Sequence, residues 1–595
     1  MELAAGHGWA AALIAGVSLA IAAIPEEFPM VSTLYLSLSG AWRLARERAL
    51  VRNLASVETL GAATVICTDK TGTLTQGQLE VTAVATTEGV VPPDNALSPL
   101  ARRFLEAAVL ASEPRPFDPL EKAILAFAGG RGIDVDAIQA GRLVADYPFD
   151  PLLKYVSHVW ERDGLTVICA KGSLEGILAR SNVTVADRRQ AEATNERLAS
   201  DGLRVIAVAD GVLPKGSQDR VVDETSLQFV GLVAFSDPLR PGVLEALRDC
   251  RQAGIRVMMI TGDYPRTAHA AAEGLGLPHD QERPVATGGE LDAAAAAATR
   301  LVAQVNVFAR IRPEQKYRIV QLLRKQGEVV AMTGDGINDA PALREADIGV
   351  AMGQRGTEVA REAADLVLLD DNFATIVAAV RDGRRIFENL RRAFTYLIAF
   401  HAPLLLTALI VPLVGAPLLL LPVILIWLEL VVHPVVLLVF DNEPALLDLM
   451  DRPPRPSGAG LLVGRNLIQS LVQGLSLAAG VLVLYLVALQ QNVAVPEARG
   501  LAIAAVFLGQ FVLVVSARSP SRPVWLTSLR GNPALAPILG GTLLRLVAAL
   551  YLPPIAAALE LAPLSAGQWL VAGLVAVAVT LWTEPLKAWT KSDAT

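Results

Sequence analysis

Cysteine is scarce in this chain: three residues, Cys67, Cys169 and Cys250, are scattered through 595 positions. That excludes a disulfide framework and a cysteine-based zinc site, and leaves thiols suited to burial in a reducing compartment. Charge is scarce too, at 19% of residues, and the formal net charge is −7. Such a balance offers no basic footprint for nucleic acid. The first apolar run has no basic stretch ahead of it and no small-residue cleavage site behind it, so it does not read as a signal peptide. What the chain has in quantity is apolar surface. Its 53% of hydrophobic residues is the composition of a membrane protein with a sizeable aqueous part.

The two parts separate along the chain. Residues 8–38 are apolar except for Pro-Glu-Glu-Phe-Pro at 25–29. Residues 42 to about 390 carry nearly all the charge and alternate strand-like runs with helical ones such as PGVLEALRDCRQAG, which predicts βαβ units and a parallel sheet. From Phe394 the chain turns apolar again, with stretches at 394–414, 417–440, 461–489, 497–516, 534–556 and 567–584. Each is long enough for about 30 Å of hydrocarbon at about 1.5 Å per residue, so with the first run about seven transmembrane helices are expected. The loops RDGRRIFENLRR, DRPPRPS and SARSPSRP are rich in arginine, whereas VGAP and QQNVAVPE hold no Lys or Arg. The positive-inside rule then places the polar block and the C-terminus in the cytoplasm of a multi-pass membrane protein, with a bacterial plasma membrane expected.

Within the polar block, ICTDKTGTLT at 66–75 begins as a short buried strand and ends in a Gly-Thr turn. Asp69 therefore stands at the carboxyl end of a strand, where open α/β sheets bind their ligands. The pattern recurs in MITGD, ending at Asp263, and in AMTGDGINDAPAL, which carries Asp335, Asn338 and Asp339; RPEQK, ending in Lys316, lies between them. A nucleophilic carboxylate, a second carboxylate for Mg2+ and a lysine to neutralise phosphate oxygens are the parts that phosphoryl transfer needs, because its catalysis is positioning plus charge neutralisation.

With these motifs in this order, the chain resembles the P-type ATPases, closest to the calcium- and proton-pump-like branch. DKTGTLT at 69–75 is that superfamily's signature, and KGS at 171–173, DPLR at 237–240, TGD at 261–263 and TGDGINDAPAL at 333–343 follow in its order. The resemblance implies a multidomain α/β plus membrane α-helical protein, in which a Rossmann-like haloacid-dehalogenase (HAD) domain carries an inserted α+β nucleotide-binding domain. The implied boundaries are a helix at 1–40 broken at PEEFP, a stalk at 41–53, a phosphorylation domain at 54–75 and 237–380, a nucleotide-binding domain at 76–236 and six membrane helices in 381–595. It implies ATP and Mg2+ as cofactors and Asp69 as the phosphorylated residue, with Lys70 and Thr71 as its loop partners. Mg2+ would take Asp69, the Thr71 carbonyl and Asp335. Thr261, Gly262, Asp263 and Lys316 would lie at the phosphate, supported by Asn338 and Asp339. Phe149, Lys171, Gly172, Asp237 and Arg240 would serve the nucleotide.

The transported cation is implied to meet Pro25 and Glu26, where two prolines four apart unwind a helix and free its carbonyls. Here the chain departs from the calcium pumps. His401 and Leu404 match an asparagine and a glutamate, while Glu429 and His433 match an asparagine and the key aspartate. Calcium takes oxygen ligands, whereas imidazole suits transition metals or proton relay, so a divalent metal and a proton both stay open, the metal favoured. No CPC motif is present, which argues against the soft-metal branch. Nor does a TGE motif occur, the family's device for placing the hydrolytic water in its actuator domain. Either the actuator is lost and phosphorylation without a completed cycle is expected, or the actuator comes from a separate chain or from an upstream part of the reading frame. Two alternatives to an ATP-driven cation pump are a membrane-tethered HAD-type phosphatase and a non-transporting half-pump. The phosphatase usually needs a second aspartate where this chain has Thr71.

Overall fold

The computed structural model describes residues 9–585 and 587, apart from 25–28, 30, 32, 34–39, 92–96, 151, 215–218, 280–283, 295–296, 447, 457–459, 462–463, 520–522, 527–530 and 586. The chain divides into two compact units, Thr64–Val377 and Met1–Ala63 with Ala378–Thr595.

In Thr64–Val377 the short apolar runs are strands of two sheets. The first is parallel, in the order Leu366–Leu368, Ile348–Met352, Val330–Gly334, Val65–Asp69, Arg256–Ile260, Val307–Ala309 and Ala286–Thr287. Every residue of Val330–Gly334 and Ile348–Met352 is buried, the pattern of a parallel sheet covered on both faces. Parallel pairing aligns the carboxyl ends: Ile260 lies opposite Asp69, and Met332 opposite Cys67. The tips carrying Asp69, Thr261 and Asp335 thus share one end of the sheet. All three cysteines are buried and free, and burial pushes the Cys67 thiol up to about 12.

The second sheet is antiparallel, in the order Gly89–Val91, Glu80–Thr86, Gln228–Ser236, Arg204–Leu213, Leu165–Gly172, Tyr155–Arg162 and Arg142–Asp150. Its strands alternate, so Trp160 and Cys169 pack with Phe104 and Ile124 in one cluster, while Val159 and Ile168 pack with Ile177 and Ala191 in another. Helices Pro99–Leu110 and Pro119–Gly130 start sharply, each with an N-cap side chain (Ser98, Asp118) and proline in the first turn. The chain leaves the parallel sheet after Thr75 and returns to it at Asp237. The two crossings are tied by Asp237, whose carboxylate accepts from Thr75 Oγ1 at 2.6 Å and from the Gly77 N–H at 2.7 Å. Arg240 donates to the carbonyls of Gly72, Thr75 and Asp370.

The other unit is helical. Among the described residues, four helices are long and apolar enough to cross a membrane: Phe373–Leu413, Pro422–Asp441, Leu467–Gln490 and Val495–Arg518. Shorter apolar helices run over Ala12–Ala23, Leu535–Tyr551 and Ala566–Leu581. Phe373–Leu413 begins well before the expected apolar stretch, because the charged segment ahead of Phe394 is itself helical. Leu535–Tyr551 ends earlier than expected, since Pro553 and Pro554 cannot continue it and Leu552 is extended. In Pro422–Asp441 the turn Leu428–Val432 widens to a π-helix just ahead of Pro434, which has no N–H to give.

Candidate functional site

Asp69 ends its strand with φ −71° and ψ 150°, which turns the chain out of the sheet, and Gly72 in the loop that follows takes φ +83°. A side chain at Gly72 would be strained, and its Cβ would stand 2.7 Å from Nη1 of Arg355. The Asp69 N–H donates to Thr333 Oγ1 on the neighbouring strand at 3.2 Å, which locks the two tips together. Lys316, in the first turns of helix Pro313–Lys325, reaches Asp69 Oδ1 at 2.7 Å, Asp69 Oδ2 at 2.6 Å and Asp339 Oδ1 at 2.9 Å. The other Asp339 oxygen accepts the N–H groups of Asp335 and Gly336. Oxygens of Asp69, Asp335 and Asp339 all lie within 4.8 Å of one another.

Burial pushes the Asp69 carboxyl up to about 6; Lys316 pulls against that, and Asp339 adds to it. Burial and then Asp339 raise Asp335 as well. Lys316 is raised: burial opposes its charge, but Asp69 and Asp339 outweigh it. Three carboxylates around one ammonium leave an excess of negative charge, so the site suits a divalent cation.

The remaining residues expected here take distinct places. Lys70 is ion-paired with Asp263, and the Asp263 N–H donates to Thr261 Oγ1 at 3.1 Å. Thr261 is buried, and Gly262 faces open space. Thr71 is exposed beside Asp69, and Asn338 is exposed in the turn Ile337–Asp339. Asp237 is engaged with the Thr75 hydroxyl and the Gly77 N–H, and Arg240 with backbone carbonyls, where the two sheets connect.

Phe149 and Lys171 belong to the antiparallel sheet. Tyr155 pairs with Asp150 on one side and Gly172 on the other, so the two lie on strands flanking a common neighbour. Phe149 is 62% exposed. Lys171 is buried, donates to the Ala111 carbonyl and stands 2.6 Å from Glu121 Oε1. Burial lowers its pKa despite Glu121. A Cβ on Gly172 would meet the Lys154 carbonyl at 2.4 Å, so a larger residue does not fit there.

In the helical unit, Glu429 lies on the π-turn and projects between two imidazoles. Its Oε2 is 3.6 Å from His401 Nε2 and 3.5 Å from His433 Nδ1, and the two rings are 6.0 Å apart. Neither Glu429 oxygen has a hydrogen-bond partner among the described residues. His401 Nδ1 sits 2.8 Å from the Leu397 carbonyl, which fixes its ring. Pro25 and Glu26 lie outside the described residues.

The profile described as "Cation transporting ATPase, C-terminus" matches residues 417–589, and that of the haloacid dehalogenase-like hydrolases matches residues 63–347. The chain is 34% identical over 619 residues to the calcium-transporting ATPase of Bacillus subtilis (strain 168), covering 96% of this chain and 69% of that protein. The chain belongs to the P-type cation-transporting ATPases. Another relative is the probable cation-transporting ATPase F of Mycobacterium tuberculosis (strain ATCC 25618 / H37Rv), 36% identical over 613 residues, 95% of this chain and 67% of that one. The human calcium-transporting ATPase type 2C member 1 is 32% identical over 580 residues, 91% of this chain and 62% of its own. The protein is thus an ATPase enzyme and a membrane protein, with ATP, Mg2+ and a cation as the ligands its family implies.

Some contacts of this ATPase had no signal in the chain. Thr333 opens the TGDGINDAPAL motif, but nothing local marks it as the acceptor of the Asp69 N–H, and Arg355, which stands beside Gly72 and Gly77, lies outside every motif. Glu121 reads as an ordinary helix acid, yet it is buried against Lys171.

Proposed function

We propose that the chain drives a cation across a membrane by passing the γ-phosphate of ATP to Asp69 as an aspartyl phosphate. The observation that carries the reading is the single ammonium of Lys316 bridging Asp69 and Asp339 with Asp335 alongside. In this reading Asp69, Asp335 and the Thr71 carbonyl would hold Mg2+, which when bound would supply positive charge against the phosphate oxygens. Lys316, Thr261 and Gly262 receive phosphate oxygens, Lys70 and Asp263 pair across the loop, and Asn338 and Asp339 support it. Phe149 stacks on adenine, with Lys171 and Gly172 on the nucleotide, and Asp237 and Arg240 act from the crossing between sheets. The phosphorylation domain takes 54–75 and 237–380, the nucleotide-binding domain 76–236 and the stalk 41–53. Helices in 1–40 and 381–595 make seven spans from the four long helices and the three shorter ones.

In this reading the cation site uses Glu429, His401 and His433 together with Pro25 and Glu26. Two carboxylates match a divalent metal without leaving buried net charge, which favours it over a proton. Thr71 offers no carboxylate to activate water against the aspartyl phosphate, so the phosphoenzyme persists long enough to be coupled to transport, unlike that of a phosphatase. Incubating the purified chain with labelled Mg-ATP tests the reading: an acid-stable, hydroxylamine-labile label is expected, and it disappears in Asp69→Asn. Label that survives in that variant, or its absence from the wild type, overturns it.

A further inference from the structure

His158 is completely buried in the middle of the strand Tyr155–Arg162, directly opposite Asp146 on the neighbouring strand. Its Nδ1 lies 3.1 Å from the Leu110 carbonyl, which also receives the indole N–H of Trp160 at 2.8 Å. A carbonyl only accepts, so Nδ1 is the nitrogen that carries the hydrogen. In the neutral ring the Nε2 lone pair then points at Asp146 Oδ1, 3.4 Å away, and at Glu113 Oε1, 3.7 Å away. Nε2 has no hydrogen-bond partner among the described residues. Three electron-pair donors thus converge, and either a proton on the ring or a metal ion would offset their repulsion.

The surroundings weigh against the proton. The ring is fully buried, away from the water that would solvate an imidazolium. A divalent ion is matched instead by two carboxylates, so no net charge is left behind. The spacing fits as well. Two donors each about 2.1 Å from one tetrahedral ion stand about 3.4 Å apart, and the three donor atoms here lie within 4.8 Å of one another. The hydrogen bond from Nδ1 to a backbone carbonyl is the support that metal-ligating histidines commonly use to hold the ring. Glu113 and Asp146 keep 44% and 47% of their side chains exposed, leaving water free to complete the coordination.

We propose that Glu113, Asp146 and His158 form a binding site for a divalent first-row transition-metal ion in the nucleotide-binding part of this ATPase. One nitrogen with two carboxylates suits Mn2+, Fe2+, Co2+ or Zn2+ over Ca2+ and Mg2+, which prefer oxygen alone. The site is separate from the Asp69 cluster and from Glu429 in the helical unit, and its existence does not depend on what either does. It is nonetheless joined to Lys171: the Leu110 carbonyl holds His158, and the next one, Ala111, holds Lys171.

The test uses the full chain in detergent, stripped with chelator and then titrated with Co2+ in excess Mg2+, followed by the visible absorption that nitrogen ligation gives to cobalt. Wild type is expected to bind with an affinity that rises with pH, as proton competition for the ring requires. His158→Gln and the double variant Glu113→Gln, Asp146→Asn are each expected to lose at least about tenfold in affinity for one equivalent of Co2+, the scale on which even outer-shell changes act. The double variant alters only half-exposed side chains, so it decides the matter even where His158→Gln fails to fold. Equal Co2+ stoichiometry and affinity in wild type and the double variant overturns the proposal. So does a His158 ring proton resonance that titrates with pH but is unmoved by Zn2+, which would make a proton the occupant.

Discussion

Lys316 holds both oxygens of Asp69, at 2.7 and 2.6 Å, and still leaves that carboxyl raised to about 6, because burial and Asp339 outweigh one ammonium. The folded state therefore keeps a proton that the unfolded chain releases. Its stabilising effect is complete below the ordinary carboxylate value of 3.8 and is lost as pH rises through about 6. At neutral pH the ionised Asp69 costs the fold about 3 kcal/mol, since each tenfold change in proton affinity is worth about 1.4 kcal/mol. Asp69→Asn should raise the unfolding temperature of the Mg2+-free chain above about pH 6, and the gain should vanish near pH 4. Thermal scans across that range check it: an equal gain at every pH would mean that ionisation of Asp69 carries no such penalty.

Glu121 and Lys171 pair at 2.6 Å with 9% and 7% of their side chains exposed. Removing one partner strands a buried charge, so Glu121→Leu or Lys171→Met should each cost about 3–5 kcal/mol, whereas the pair replaced together should cost far less. Denaturant unfolding of the two single variants and the double variant gives the coupling. Additive losses would show that the pair does not act as a unit. Lys171→Met should also weaken ATP binding, which equilibrium titration with nucleotide reads separately.

Asp69, Asp263 and Asp335 were legible because each follows a short apolar run and precedes glycine or a loop, a local pattern that survives without tertiary knowledge. The insertion between Thr75 and Asp237 was legible for the same reason, since the strand-tip motifs lie on either side of it. What Asp237 does was not. Its two oxygens bind Thr75 and Gly77, 162 and 160 residues away in the chain, and no local spacing encodes such a partner. Glu121 was hidden likewise, 50 residues from Lys171. Helix ends were not legible: the apolar stretch 534–556 runs past Pro553, where the helix has already stopped, and charged residues ahead of Phe394 continue Phe373–Leu413, because hydropathy marks what hydrocarbon tolerates and says nothing of where backbone hydrogen bonding stops.

The last prediction concerns Glu429, whose carboxylate lies between His401 and His433 with no hydrogen-bond partner among the described residues. A buried carboxylate in that state is costly unless a cation meets it, and two imidazoles beside it add nitrogen donors that Ca2+ does not seek. A divalent metal bound through neutral rings competes with protons, so its affinity should rise from about pH 6 to about pH 8, around histidine's ordinary pKa. Calorimetric titration of the full chain with Mn2+ and Zn2+ should show that rise, and Glu429→Gln should remove the corresponding equivalent. To keep it apart from the Glu113 and His158 site, the comparison is made in the Glu113→Gln, Asp146→Asn background. Metal binding there that Glu429→Gln leaves unchanged at every pH would sink the metal reading and leave the two histidines as a proton relay.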